Sequence, residues 1–407
     1  MARLPELTPP ESSGSRVPSV HHHDVVTERP GDLDSLRLIG TTRFEPMNDV
    51  KTILITGGAG FIGSWVTRHL TVRYPEYKII CIDKLDKVSS LANISCLEAF
   101  PNFHFVQGNL LDQATVSSLL AEHDIDCVMH FAACSHVQNS FEDPSIFTLN
   151  NVVATQWLLD AVRHHGGPGR LRRFIHVSTD EVYGDVVDEF VDETKQFMPT
   201  NPYSASKAAA EMYVWAYAKS FGIPALVVRS NNVYGPCQYP EKIIPRFYTL
   251  LSEQQPLTIQ GSGLNVRRYL YAADAADAAD GFDTLLHKGV VGEAYNLNSA
   301  SPVTNLEVAI TDRPFNDHDY RVDGSKLETL GWRQRVPFAV GLRATVDWYR
   351  KNIHAWWPDV TKTINVKSTA TIRGDMRSRV GDNEVKSVDD EVTIGEISDA
   401  SSPGVLG

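Results

Sequence analysis

The stretch Ile53-Leu54-Ile55-Thr56-Gly57-Gly58-Ala59-Gly60-Phe61-Ile62-Gly63 decides the fold. An apolar run, Lys51 to Thr56, passes without a linker into Gly57, Gly60 and Gly63, spaced Gly-x-x-Gly-x-x-Gly, and a helical pattern starts at Phe61. Without side chains the backbone can turn tightly and approach a pyrophosphate held on the N-terminus of the following helix. Asp83 stands twenty positions after Gly63, at the end of the next apolar run, Lys78 to Asp83. A carboxylate there accepts hydrogen bonds from a ribose and repels a 2′-phosphate. Strand, glycines, helix, strand and acid in that order predict a dinucleotide site that prefers NAD to NADP.

Working outward, short apolar runs alternate with helix-length segments, the pattern of βαβ units. Strands are predicted near Phe103 to Gln107, Cys127 to Ala132, Arg173 to Ser178 and Ala225 to Arg229, with helices near Ser145 to His165 and Pro202 to Phe221. Most strands are continuously apolar, as strands buried on both faces should be. The expected fold class is α/β, a doubly wound parallel sheet of Rossmann type. The polar segments 1–48 and 361–407 cannot bury enough surface to order themselves and are read as a disordered leader and tail. His21, His22 and His23 lie in the leader, and no metal site is assigned to them.

The chain has 407 residues, with 38 Lys and Arg against 50 Asp and Glu, a formal charge of −12 that disfavours nucleic acid as a partner. Five cysteines form no Cys-x-x-Cys pair, so neither a disulfide framework nor a zinc site is expected. No run approaches the ~18 apolar residues of a membrane span and no signal-peptide core is evident, so a cytoplasmic protein with no membrane partner is expected.

Two further constellations carry chemistry. Tyr203 and Lys207 follow Asn201-Pro202, which can open a helix. Four residues apart on that helix, phenol and ammonium share a face, and the cation, with a nicotinamide nearby, would lower the phenol's pKa toward that of a useful base. Ser178-Thr179-Asp180-Glu181-Val182-Tyr183-Gly184 follows the apolar strand Phe174 to Val177, so its acid pair stands at the carboxyl edge of the sheet, where ligands bind. Two adjacent carboxylates can act as general acid and general base if their environments separate their pKa values.

With these residues in hand, the chain from about Lys51 to Trp357 resembles the extended short-chain dehydrogenase/reductase family, and within it the nucleotide-sugar 4,6-dehydratases of the dTDP-glucose or UDP-glucose type. The resemblance rests on residues 56–63, Phe131-Ala132-Ala133, Ser135-His136-Val137, Thr179 to Gly184, Asn201-Pro202-Tyr203, Ser230 to Pro236, Tyr239-Pro240-Glu241-Lys242 and Gly261-Ser262-Gly263. It implies that Tyr203, with Lys207 and Thr179, takes the proton from sugar O4 while hydride passes from C4 to NAD. Glu181 then removes the C5 proton, Asp180 protonates the departing 6-hydroxyl, and the hydride returns to C6. It implies cofactor contacts from Gly57, Gly60, Phe61, Ile62, Gly63, Asp83, Ala132, Ala133, Tyr203 and Lys207. It also implies substrate contacts from Ser135, Asn232, Lys242, Arg267 and Asn296, with Arg268 a solvated neighbour. Asn151 and Asn296 sit at matching positions too, and read nearly as well as buried structural amides. The cofactor domain would run over 49–229 and a smaller substrate domain over 230–360, with part of 265–298 returning to the first. A homodimer through the two long helices is implied, with Trp157, Trp215 and Tyr217 on or near its surfaces. A 4-epimerase or decarboxylase on the same scaffold is the rival.

Three positions depart from the family pattern: Cys134, read as packing rather than nucleophilic, Gln138 and Asn109. A larger departure lies between Asn305-Leu306-Glu307-Val308-Ala309 and Asp312-Arg313-Pro314-Phe315, where similar proteins carry the rest of a helix and a strand. The substrate domain is therefore expected to be truncated after Ala309, which raises the alternative of a catalytically impaired NAD-binding protein.

Overall fold

The computed structural model describes residues 39–257, 264–272, 277–299, 302–305, 308 and 320–360. All lie in the first of the chain's two units, Met1–Thr369. The first half contains β1 (Thr52–Thr56), α1 (Phe61–Arg73), β2 (Lys78–Asp83), β3 (Phe103–Gln107), α2 (Gln113–Glu122), β4 (Cys127–His130), α3 (Val137–Glu142), α4 (Pro144–Phe147) and α5 (Ala154–Arg170). Then come β5 (Arg173–Thr179), β6 (Val186–Val191), α6 (Pro202–Phe221), β7 (Ala225–Ser230), β8 (Asn232–Tyr234), α7 (Ile243–Ser252), β9 (Val266–Tyr271), α8 (Asp277–Lys288) and β10 (Ala294–Leu297). Last are β11 (Pro302–Thr304), β12 (Tyr320–Val322), α9 (Ser325–Thr329) and α10 (Phe338–Trp356).

Seven parallel strands form the main sheet in the order β10-β7-β5-β4-β1-β2-β3. Strand order reverses between β1 and β4, so the doubly wound expectation holds and the ligand-binding switch point lies beside the glycines. Alternation of side chains builds a core on each face. Ile53 and Ile55 pack with Trp65 of α1 and Phe282 of α8, while Leu54 packs with Leu119 of α2, Leu158 of α5 and Val214 of α6. Losing one of these fully buried side chains to alanine costs roughly 2–5 kcal/mol. The long helix expected near Ser145 to His165 is present as α4 and α5, joined by one π-helical stretch, Thr148–Val153.

Two small sheets, β11-β9-β8 and β12-β6, stand apart from the main sheet. At the chain's far end, Trp348, Tyr349, Trp356 and Trp357 gather against Cys237. From this cluster Trp356 Nε1 donates to Asn93 Oδ1 at 2.6 Å, and Asn93 Nδ2 donates to the carbonyl of Ala59 at 2.8 Å. Helix α10 thus reaches the glycine loop after β1.

The reading of 1–48 as a disordered leader needs correcting at its end. Thr41 N–H, Thr41 Oγ1 and Thr42 N–H give three hydrogen bonds of 2.5–3.0 Å to the carboxylate of Asp280. Phe44 N–H donates to Tyr74 and Met47 N–H to Tyr77. Backbone donors satisfied by buried acceptors fix this segment, which composition alone does not reveal. His21 to His23, the tail 361–407 and most of the segment around the expected truncation, including residues 309–319, lie outside the described residues. Among the described residues, no helix is long and apolar enough to cross a membrane.

Candidate active site

Gly57 adopts φ +70° and its N–H donates to the carbonyl of Ile82 at 2.8 Å. A Cβ there would stand 2.7 Å from the backbone of Ala132, and one on Gly63 would stand 2.2 Å from the carbonyl oxygen of Gly57. Both positions therefore require glycine for the loop to close. Gly60 precedes α1 without any side-chain cap, so the amides that open this helix at Phe61 and Ile62 face no side-chain acceptor of the cap residue. The side chains of Phe61 and Ile62 pack on the core. Asp83 is buried and accepts from Ala59 N–H at 3.1 Å, Leu85 N–H at 2.9 Å and Ser89 Oγ at 3.0 Å. A carboxylate has about four acceptor sites, so three partners leave capacity for another donor. Burial raises its pKa, against these hydrogen bonds.

The catalytic candidates converge at the end of β5. Thr179 Oγ1 accepts from Glu181 N–H at 3.3 Å, capping the tight turn Asp180–Tyr183, and donates to Asp180 Oδ1 at 3.2 Å. Asn201 and Ser204 form a capping box at the start of α6, with Pro202 in its first turn. The same Asn201 donates to Glu181 Oε2 at 3.1 Å, so the cap that begins the helix also holds the second acid. Tyr203 therefore rises from the first turn beside the acid pair.

Electrostatics separates these groups. Burial, then the charge of Glu181, raises the pKa of Asp180 to about 7, against hydrogen bonds from Asn231 and Thr179 and the charge of Arg267. Burial first, then Glu181 and Asp180, raises the Tyr203 phenol, while a hydrogen bond with Thr179 lowers it. Burial lowers Lys207 to about 8, with Glu211 opposing. The expected direct effect of Lys207 on Tyr203 is not what the protein by itself displays. The ammonium donates instead to the carbonyl of Val177 at 2.6 Å, and burial, followed by the acid pair, governs the phenol.

Ser135 and Lys242 meet, Lys242 Nζ donating to the Ser135 carbonyl at 2.6 Å. Asn232 is half-buried in β8 opposite Tyr269. Arg267 is buried in β9 and acts electrostatically on Asp180. Asn296 is enclosed: it accepts from Tyr183 at 2.8 Å and donates to the carbonyls of Asp323 at 2.9 Å and Val191 at 3.5 Å. Tyr183 in turn accepts from Arg229, which pairs with buried Glu211 at 2.6 Å. That frame holds the base of the turn that carries the acid pair and favours the structural reading of Asn296. Asn151 is likewise spent on Cys134 and Ser206. Cys134 packs beside Tyr203 and burial raises its thiol pKa. Arg268 is not solvated: it is 5% exposed and covers the ring of Phe190. It lies on a strand whose two faces are both covered.

Sequence reading missed Asn231, whose Nδ2 lies 2.5 Å from Asp180 Oδ2. Neighbours on an extended chain point to opposite faces, so the assignment of Asn232 to the substrate could have directed Asn231 elsewhere. All five cysteines are free thiols. Among the described residues, no three His, Cys, Asp or Glu side chains are grouped to hold a metal ion.

The GDP-mannose 4,6 dehydratase family model matches residues 54–311. The chain is 43% identical over 363 residues to RHM3 of Arabidopsis thaliana, a trifunctional UDP-glucose 4,6-dehydratase/UDP-4-keto-6-deoxy-D-glucose 3,5-epimerase/UDP-4-keto-L-rhamnose-reductase, covering 84% of this chain and 54% of that protein. It thus spans about half the length of this relative. It is 42% identical over 333 residues to the dTDP-D-glucose 4,6-dehydratase of Homo sapiens, covering 76% of this chain and 93% of the human protein. The solved DesIV, a dTDP-glucose 4,6-dehydratase from Streptomyces venezuelae with NAD and TYD bound, superimposes with a TM-score of 0.71 at 36% identity over 76% of this chain and 99% of its own. The fold and site define an extended short-chain dehydrogenase/reductase. The chain belongs to its nucleotide-sugar 4,6-dehydratase family.

Proposed function

We propose that the chain removes water from a glucose nucleotide, dTDP-glucose or UDP-glucose, to give the 4-keto-6-deoxy sugar, with NAD as its resident cofactor. The observation that carries this reading is the acid pair: Asp180 is buried with a pKa near 7 and stands next to Glu181, beside Tyr203. A 4-epimerase needs a base at O4 but no acid for a leaving hydroxyl.

The glycine cradle, the open N-terminus of α1 and Asp83 fit NAD, with Ala132 packed where Gly57 turns and Ala133 next to it in the chain. Bound NAD supplies oxidation at C4 and its reversal at C6. Tyr203 accepts the O4 proton as the phenolate, which the positive ring of bound NAD and the Lys207 ammonium would favour, and Thr179 orients it. Glu181, held by Asn201, takes the C5 proton, which the neighbouring 4-keto group has made acidic. Asp180 gives its proton to the departing 6-hydroxyl. Arg267, Lys242, Asn232 and Ser135 are assigned to the nucleotide diphosphate, where the two cations meet its charge.

Incubation with each sugar nucleotide and mass analysis of the product tests this. Loss of one water supports it, whereas an unchanged mass with inverted C4 identifies an epimerase. Saturable binding without turnover identifies the impaired protein. Two further assignments go with the reading. Free thiols suit a reducing, cytoplasmic setting. Exposed Ile146, Leu149, Met212 and Tyr213 on α4, the π-helical stretch and α6 suit a homodimer through these helices. Sedimentation that gives only monomer at micromolar concentration would remove the dimer.

A further inference from the structure

Asn231 is 5% exposed, and its two amide atoms have different partners. Its Oδ1 accepts from the backbone N–H of Ser299 at 2.8 Å, while Nδ2 lies 2.5 Å from Asp180 Oδ2. A backbone N–H can only donate, so the amide cannot be turned over without setting donor against donor. Its own N–H is bonded to the Leu297 carbonyl, at 3.0 Å, which fixes the residue from the backbone side as well.

We propose that Asn231 is a positioning residue for Asp180: its locked amide keeps Oδ2 an acceptor and so assigns the transferable proton to Oδ1. An oxygen that faces an N–H donor at hydrogen-bond distance has no room for a proton of its own. Oδ1 faces Thr179 Oγ1 at 3.2 Å, a hydroxyl that donates to the ionised carboxylate but, unlike an amide N–H, can turn to accept when Oδ1 carries the proton. In the elimination, Oδ1 gives its proton to the departing hydroxyl oxygen and the C6–O bond breaks with its electron pair going to that oxygen. The C5–H pair forms the new C5=C6 bond as Glu181 takes the proton. The carboxylate left on Asp180 keeps the Asn231 N–H. Other groups acting on this carboxyl are Glu181, Tyr203 and Thr179 from the turn and α6, and Arg267 from β9. None of them fixes one oxygen as Asn231 does.

The kinetic consequence rests on the dehydratase reading; the hydrogen bond does not. Asn231→Leu removes both amide partners without adding charge, and Asn231→Asp retains the shape and the acceptor for Ser299 but sets a like-charged carboxyl against Asp180. The Asp180 carboxyl can be followed by its infrared C=O band, assigned by its loss in Asp180→Asn. Both variants are expected to move its midpoint up by about one pH unit or more. Their kcat should fall about ten-fold or more with KM within about two-fold, and bound reduced cofactor should accumulate. An unmoved midpoint, or an unchanged kcat in an active enzyme, overturns the proposal. If the wild-type chain turns over neither sugar nucleotide but the midpoint still moves, the dehydratase reading fails and the coupling stands. Should the variants not fold, the ¹⁵N signal of the Asn231 side chain in the wild-type chain decides: titration with the Asp180 midpoint supports the coupling, and a flat signal overturns it.

Discussion

Asp180 and Asp283 are almost equally buried, at 3% and 1% exposed, yet their acidities diverge. Burial raises both. At Asp180 the neighbouring Glu181 adds to that effect, and two neutral donors with one Arg charge only partly offset it, leaving a group near pH 7. At Asp283 burial is overcome by hydrogen bonds from His287, His69 and Thr42, which hold the carboxyl far below its ordinary range. His69 Nε2 lies 3.1 Å and His287 Nδ1 3.0 Å from it, and Tyr74 and Thr42 donate at 2.9 and 2.6 Å. Depth therefore does not set the acidity of a buried carboxylate; the number and sign of the groups around it do. One arrangement keeps a proton ready to move, and the other ties the segment before β1 to α1 and α8.

Activity separates the two most widely. Asp180→Asn should lower kcat by roughly 10²–10⁴-fold, with bound reduced cofactor accumulating on substrate addition, as loss of a positioned general acid requires. Asp283→Asn should leave kcat per folded molecule within about three-fold. Comparable losses in steady-state assays would break the distinction.

Stability should invert the order. Asp283→Asn disturbs a buried carboxylate that accepts from Thr42 and Tyr74 and stands between two imidazoles, and should cost roughly 1–3 kcal/mol in urea unfolding. Asp180→Asn relieves a buried carboxylate beside a like charge and should be neutral or stabilising, so a large destabilisation there would contradict the raised pKa.

The pH dependences should run in opposite directions. Asp180 binds its proton more tightly folded than unfolded, so its contribution to stability is present below about pH 4 and is lost as pH rises toward 7. Three units at 1.36 kcal/mol each bound that loss at about 4 kcal/mol. Asp283 is the reverse: its contribution is present above the ordinary carboxylate range and is lost on acidification. Catalysis should decline above pH about 7 as the acid deprotonates. Chemical denaturation at stepped pH, with each Asn variant flattening its own part of the curve, checks both signs. The smallest effect expected is that of Thr42→Ala, roughly 1 kcal/mol, read as a lower Tm with kcat unchanged.

Much of this was legible in the sequence, and the exceptions have a common cause. β1, the glycines and Asp83 follow one another closely, and their periodicity and spacing locate them. Tyr203 and Lys207 are related by helical spacing in the same way. Asn231 reaches Asp180 across 51 positions, and Thr42 reaches Asp283 across 241. Spacing carries no signal over such intervals, and a polar residue has no pattern to say whether it will be buried. Arg268 misled for the same reason: its charge suggested solvent, whereas its place on β9 put it against Phe190.

The link from Trp356 through Asn93 to Ala59 bears on how the protein is made. Ala59 leaves the ribosome 297 positions (356 − 59) before the tryptophan that completes its support. At roughly 5–20 residues per second, that interval is about 15–60 s. Throughout it the nascent glycine loop lacks its final brace, so the dinucleotide cradle is among the last parts of the cofactor half to be finished, although its strand and glycines are among the first to emerge.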